Sequence, residues 1–104
     1  MNSSKLDYEI SESSTVVAVS DQVSSDLGGE AVILSMKTGI YHGLNEVGAK
    51  VWDLIEQPKT VKEIQELIVE KYEVEPEVCH NDLLVLLKDL QAAGLIEVKN
   101  DTAS

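Results

Sequence analysis

The sequence predicts an α+β domain of winged-helix-like order, an N-terminal three-stranded antiparallel sheet followed by a three-helix bundle. Three observations predict it. Apolar residues favour extended structure over residues 20–44, interrupted by Gly28-Gly29 and Lys37-Thr38-Gly39, the residue types that tight hairpin turns need. At Asn45 the apolar spacing changes to three and four, the helical period. Helical stretches then follow, punctuated by Pro58 and Pro76 and closed by Gly94.

Each element has its own reason. Residues 1–14 are polar and serine-rich, with Leu6, Tyr8 and Ile10 as the only apolar interruptions after Met1, and read as a flexible tail. Val16, Val17 and Val19 are β-branched and read as a short extra strand ahead of the sheet. Gln22 to Leu27, Glu30 to Ser35 and Ile40 to Leu44 are the three strands of an antiparallel meander. Asn45 is a helix N-cap with Glu46 in the first turn, where the helix dipole favours a carboxylate. Val47, Val51, Leu54 and Ile55 form that helix's expected apolar face, which ends near Gln57, before Pro58. Thr60-Val61-Lys62-Glu63 is a capping box. It opens a helix whose stripe is Val61, Ile64, Leu67, Ile68 and Tyr72 and which is expected to fray near Glu73. Pro76 suits the first turn of a third helix, and Gly94 its C-terminal stop. Leu95 to Val98 is a short strand and residues 99–104 a second tail, so the folded domain is expected over residues 15–98.

Composition excludes several functions. The 104 residues hold 19 acidic and eight basic side chains, for a net charge of −11. All eight basic residues are lysines, so the chain lacks the bidentate guanidinium that reads guanine and grips phosphate. Nucleic acid and anionic membrane surfaces are repelled by such a chain. The third helix, the recognition helix of a DNA reader, carries Glu77, Asp82 and Asp89 against Lys88. No apolar run approaches the ~20 residues of a membrane span. No hydrophobic core follows Lys5, so no secretory signal is expected and the cytoplasm is the expected location.

Catalytic and metal chemistry find no constellation. Cys79 is the one cysteine and reads as a structural, buried thiol. It stands beside His80 in sequence, which in a helix turns the two side chains about 100° apart. His42 and His80 have no partner histidine at helical spacing, so neither is expected to hold a metal. Gly28-Gly29 is a turn and not a phosphate loop, because no helix follows it. No cofactor is expected.

The third helix offers a surface instead. Cys79, Leu83, Leu86, Leu87 and Leu90 centre on one face, while Val78, Asp82, Val85, Asp89 and Ala92 form a band beside it. Two readings of this band stand: Val78 and Val85 widen the core face, or they line a shallow apolar groove edged by carboxylates. The strand Ile40–Leu44 follows its neighbour in a meander, which leaves its far edge open, and it has neither proline nor charge to protect that edge. An open edge beside an apolar helix groove is the arrangement that accepts an extended peptide as an added strand.

The block Gly39-Ile40-Tyr41-His42-Gly43-Leu44-Asn45-Glu46-Val47-Gly48-Ala49-Lys50-Val51-Trp52 resembles the PqqD-like peptide chaperones, also called RiPP recognition elements. Tyr72-x-Val74 and Asp82-Leu83-Leu84-x-Leu86-Leu87-x-x-Leu90-x-x-x-Gly94-Leu95-Ile96 are similar to the end of the same family. The upstream stretch Val23 to Leu34 resembles the stand-alone recognition proteins of lasso-peptide gene clusters. The resemblance spans residues 15–98. It implies a non-catalytic protein that binds the leader segment of a ribosomal precursor peptide as a strand between the third strand and the third helix. It further implies delivery to a separate transglutaminase-like cysteine leader peptidase, followed by an ATP-dependent cyclase. Carried residue by residue, the strand contacts fall on Ile40, Tyr41, His42 and Gly43, and the helix contacts on Val78, Asp82, Val85, Leu86 and Asp89. His42 stands where related proteins often have a second aromatic. The alternative is an acidic winged-helix subunit that binds a protein partner of another assembly through the same helix.

Overall fold

The structure is a computed structural model and describes residues 10–100. Its strands are β1 (Thr15–Ala18), β2 (Gln22–Asp26), β3 (Ala31–Ser35), β4 (Tyr41–Leu44), β5 (Lys59–Thr60) and β6 (Ile96–Lys99). Its helices are α1 (Glu46–Leu54), α2 (Val61–Tyr72) and α3 (Pro76–Ala92). The expected meander and the three helices occur in the expected order, and the α+β class holds.

The meander has the strand order β2-β3-β4, all antiparallel. Gln22 pairs with Ser35 and Asp26 with Ala31 on one side of β3; Leu34 pairs with Tyr41 and Ala31 with Leu44 on the other. The strand expected from Ile40 starts one residue later. The Ile40 amide turns to Thr38 Oγ1 at 3.2 Å, while its carbonyl still accepts from the Ser35 amide at 3.0 Å.

The early valine strand does not join the meander. β1 lies between β5 and β6 in a second sheet, with Val16 fully buried. β6 extends one residue past the expected boundary, because Lys99 pairs with Thr15. The domain likewise begins before residue 15. Ile10 and Ser14 are buried, and the Glu12 and Ser14 carbonyls accept the Lys62 and Val61 amides at 3.1 and 2.9 Å. A helix leaves its first amides without internal partners, and residues 12 and 14 supply acceptors for two of those of α2. The Ser14 hydroxyl also donates to Asn100. The remainder of the expected tails, residues 1–9 and 101–104, lies outside the described residues.

The caps follow the sequence. Asn45 Oδ1 accepts from the Gly48 amide at 2.9 Å. The Thr60 capping box is complete, Thr60 Oγ1 accepting the Glu63 amide and Glu63 Oε1 the Thr60 amide. α2 ends in an ordered cap and not a fray: Glu73 adopts φ 53° and its amide donates to the Val69 carbonyl. At the end of α3, Gly94 takes φ 74°, its amide donates to Gln91, and the Leu95 amide donates to Leu90. That is a Schellman motif, with buried Leu95 above buried Leu90 as its hydrophobic contact.

The core lies between the helices and the inner sheet faces, around Ile33, Val51, Ile55, Ile64, Leu87 and Leu95, each 0–1% exposed. Burying each such side chain contributes roughly 1.5–3 kcal/mol. Two helix faces are rotated from the expected ones. In α1 the buried set is Gly48, Val51 and Trp52, with Ile55 just beyond, and Val47 is 39% exposed. In α2, Leu67 stands exposed beside the buried Ile64 and Ile68.

Candidate functional site

β4 is the last strand of its sheet, so among the described residues its second edge is open. The direction of its backbone groups follows from the antiparallel alternation. Ser35 donates to Ile40, which makes that pair a hydrogen-bonded one; His42 and Leu44 therefore also turn their amides and carbonyls toward β3. Tyr41 and Gly43 turn theirs outward. Side chains alternate in the same way. His42 shares a face with its partner Ile33, which is fully buried, so Ile40, His42 and Leu44 are on the inner face. Tyr41 is on the outer face in a row with Leu34 and Val23, 68% exposed.

Beside this edge runs a groove of about 470 Å³. Gly43 and Leu44 form one side, and Asn45, Val47 and Gly48 extend that wall into the first turn of α1. The helix side is α3, with Val78, Asp82, Val85, Leu86 and Asp89. Buried Val51, Ile68 and Leu83 make the floor, and Tyr72 and Val74 close one end. Gly48 fits closely here: a Cβ at this position would meet Asn45 Oδ1 and Leu44 Cβ at 3.3 Å, so a side chain needs the cap or the strand end to give by a few tenths of an ångström.

The structure separates the two readings of the α3 band. Val78 is 52% and Val85 60% exposed, so neither belongs to the core face. The buried stripe is Cys79, Leu83, Leu87 and Leu90, and Leu86 is half-buried at its border with the groove. Six of the expected site residues thus meet in one place: Gly43, Val78, Asp82, Val85, Leu86 and Asp89. The other three do not line the groove. Ile40 precedes β4, His42 is half-buried on the inner face, and the Tyr41 side chain is across the sheet. The groove also uses Val47 and Val74, which sequence reasoning did not assign to it. Val47 carried a readable signal, an apolar residue in the first turn directly after an edge strand, but its spacing from Val51 placed it in the core.

Asp82 and Asp89 are the charged members of the groove, and among the described residues neither has a cation in ion-pairing reach. Cys79 is buried at the floor, with its Sγ 4.0 Å from the Gln65 carbonyl. Burial pushes its thiol above the ordinary value, and the negative charge of Asp82 adds to the shift. Such a thiol stays protonated at neutral pH and is a poor nucleophile. His80 is half-buried and not exposed as a helix-start residue would be; its Nδ1 lies 3.0 Å from Gln65 Oε1. Among the described residues no three His, Cys, Asp or Glu side chains come together to hold a metal, and no helix is long and apolar enough to cross a membrane.

The family model for coenzyme PQQ synthesis protein D (PqqD) matches residues 30–96, which takes in the meander's second hairpin, all three helices and the start of β6. The chain belongs to the PqqD family. Among solved structures, TbiB1 in complex with the TbiA(beta) leader peptide is 33% identical. That match covers 78% of this chain and 94% of TbiB1, with a TM-score of 0.72. The PqqD truncation of Methylobacterium extorquens PqqCD, a stand-alone RiPP recognition element, is similar at 18% identity and a TM-score of 0.72, covering 86% of this chain and 96% of that one. A lasso peptide synthetase B1 complexed with the leader peptide reaches a TM-score of 0.69 at 18% identity, covering 79% and 96%. None of the curated proteins matches this chain. The two-sheet, three-helix arrangement is therefore the PqqD-like recognition-element fold.

Proposed function

We propose that this PqqD-family protein is a non-catalytic binder of precursor-peptide leaders, acting in the biosynthesis of a lasso-type ribosomal peptide in the cytoplasm. The leader adds as a strand to the open edge of β4, pairing with the outward amides and carbonyls of Tyr41 and Gly43. Its alternate side chains descend into the groove on Val78, Val85 and Leu86. The protein then hands the precursor to a separate transglutaminase-like cysteine peptidase, and an ATP-dependent cyclase closes the ring. One observation carries this reading above the others: an unprotected strand edge runs beside an exposed apolar stripe of α3. The likeness to TbiB1, whose structure holds a leader peptide, supports it.

Strand addition also explains how Ile40, Tyr41, His42 and Gly43 act together although their side chains diverge. The recognition on that side is made by backbone groups, and only alternate ones face the peptide. The test is amide exchange followed by NMR, with and without a leader peptide from a precursor gene neighbouring this one. The Tyr41 and Gly43 amides gain protection on binding, while the His42 amide, already bonded to β3, changes little. Saturable binding with no added protection at Tyr41 and Gly43 places the peptide elsewhere.

A further inference from the structure

The groove that we assign to the leader is mainly apolar along α3 and carries charge at two points. Asp82 and Asp89 are its charged side chains, and both are exposed and without a cation partner among the described residues. Their spacing of seven residues puts them on the same side of α3, about 10.5 Å apart along the axis. Val85 lies between them on that side, 60% exposed. The field of Asp82 reaches the groove floor, where it adds to the upward shift of the Cys79 thiol.

A peptide laid over this strip removes water from both carboxylates. Loss of that hydration is unfavourable unless the peptide supplies a partner, and an acidic peptide adds repulsion from a chain of net charge −11. Lysine or arginine supplies a charge-assisted hydrogen bond. In an extended peptide, alternate side chains face the groove, and residues four apart stand about 13 Å from one another. Long basic side chains absorb the difference from 10.5 Å, and the residue midway falls over Val85.

Resting on the leader-binding reading, we propose that the groove selects extended peptides in which two basic residues, four apart, bracket an aliphatic one. Asp82 and Asp89 take the cations, and Val85 takes the aliphatic side chain.

The experiment is selection of an mRNA-displayed library of random linear peptides on the immobilised full chain at low salt. The strongest binder is then remade with a fluorescent label for anisotropy. The expected pool is enriched in the basic–x–aliphatic–x–basic pattern, and the binder weakens about tenfold against the double variant Asp82→Asn, Asp89→Asn, the upper range for two exposed pairs. The variant Glu66→Gln, Glu70→Gln removes the same charge from the exposed face of α2, outside the groove, and leaves affinity unchanged. Equal weakening by the two double variants overturns the proposal, because the attraction is then only that of net charge. A pool without basic enrichment whose binding Val85→Asp abolishes also overturns it, and leaves the groove as the leader site. Peptides indifferent to Val85→Asp overturn both.

Discussion

Val85 and Leu87 stand two residues apart on α3 and are at opposite extremes of exposure, Val85 60% and Leu87 0%. The helix thus divides into a face that holds the fold and a face that is free to bind, and the two separate under mutation. Val85→Asp leaves the fold intact, since no core cavity opens, but puts a charge beside Asp82 and Asp89 on a surface that binding dehydrates. A cost of about 2.7 kcal/mol, within the range for a dehydrated polar group, corresponds to roughly hundredfold weaker leader binding. Leu87→Ala does the reverse and lowers stability by about 2–5 kcal/mol. Urea titration and fluorescence anisotropy on both variants check the division; wild-type affinity in Val85→Asp would falsify the placement of the groove.

A second pair of variants tests the edge. The Gly43 amide faces outward, so Gly43→Pro removes a donor that β3 does not use. The fold persists by circular dichroism and leader affinity falls about tenfold, the loss of one hydrogen bond and of close approach. The His42 amide faces β3, and His42→Pro breaks the ladder itself. If Gly43→Pro binds the leader as tightly as the native chain, the peptide does not pair there.

The Cys79 thiol is held above its ordinary value of 9.0 by burial and by Asp82. The fold therefore favours the protonated thiol, and the unfolded chain loses that proton first. Its contribution to stability is complete below pH 9.0 and is lost as pH rises through the raised folded value. Urea midpoints measured from about pH 7 to about pH 10.5 fall more steeply for the native chain than for Cys79→Ala. Parallel slopes would show that the thiol is not linked to folding in this range.

Purified protein mixed with a precursor peptide leaves the peptide mass unchanged over a day, because the protonated, buried Cys79 offers no nucleophile. Time-dependent truncation that survives repurification and vanishes in Cys79→Ala overturns the non-catalytic reading.

Duplex DNA is not bound at ~150 mM salt, where affinity depends on cationic neutralisation of phosphates. The chain has no arginine, and α3 presents Glu77, Asp82 and Asp89. A sequence-selective mobility shift at sub-micromolar protein contradicts this.

Local chemistry made most of the fold legible from residue types alone. Gly28-Gly29 and Gly39 mark turns because their positive φ values suit residues without a side chain. Asn45, the Thr60–Glu63 box and Gly94 mark helix ends because each satisfies backbone groups a few residues away. The expectation that polyanionic partners are repelled rests on charge alone, and the candidate groove was legible from a helix band and a strand without edge protection.

Tertiary packing decided what no local window contains. Val16 pairs with Lys59 and with Val98, contacts between segments far apart in sequence that β-branched composition cannot specify. Ile10 to Ser14 look like a polar tail, yet the open amides at the start of α2 recruit their carbonyls. Val47 and Val51 share a helical spacing but not a fate, since α1 turns Gly48, Val51 and Trp52 into the core, with Leu54 and the C-cap Ile55 packed on the same side, and Val47 falls outside that face. Val78 and Val85 were open between core and groove because period gives the angle of a side chain and not what covers it. Among the described residues nothing covers them, since β4 is the outer strand of its sheet and the first turn of α1 borders the trough along α3 without filling it.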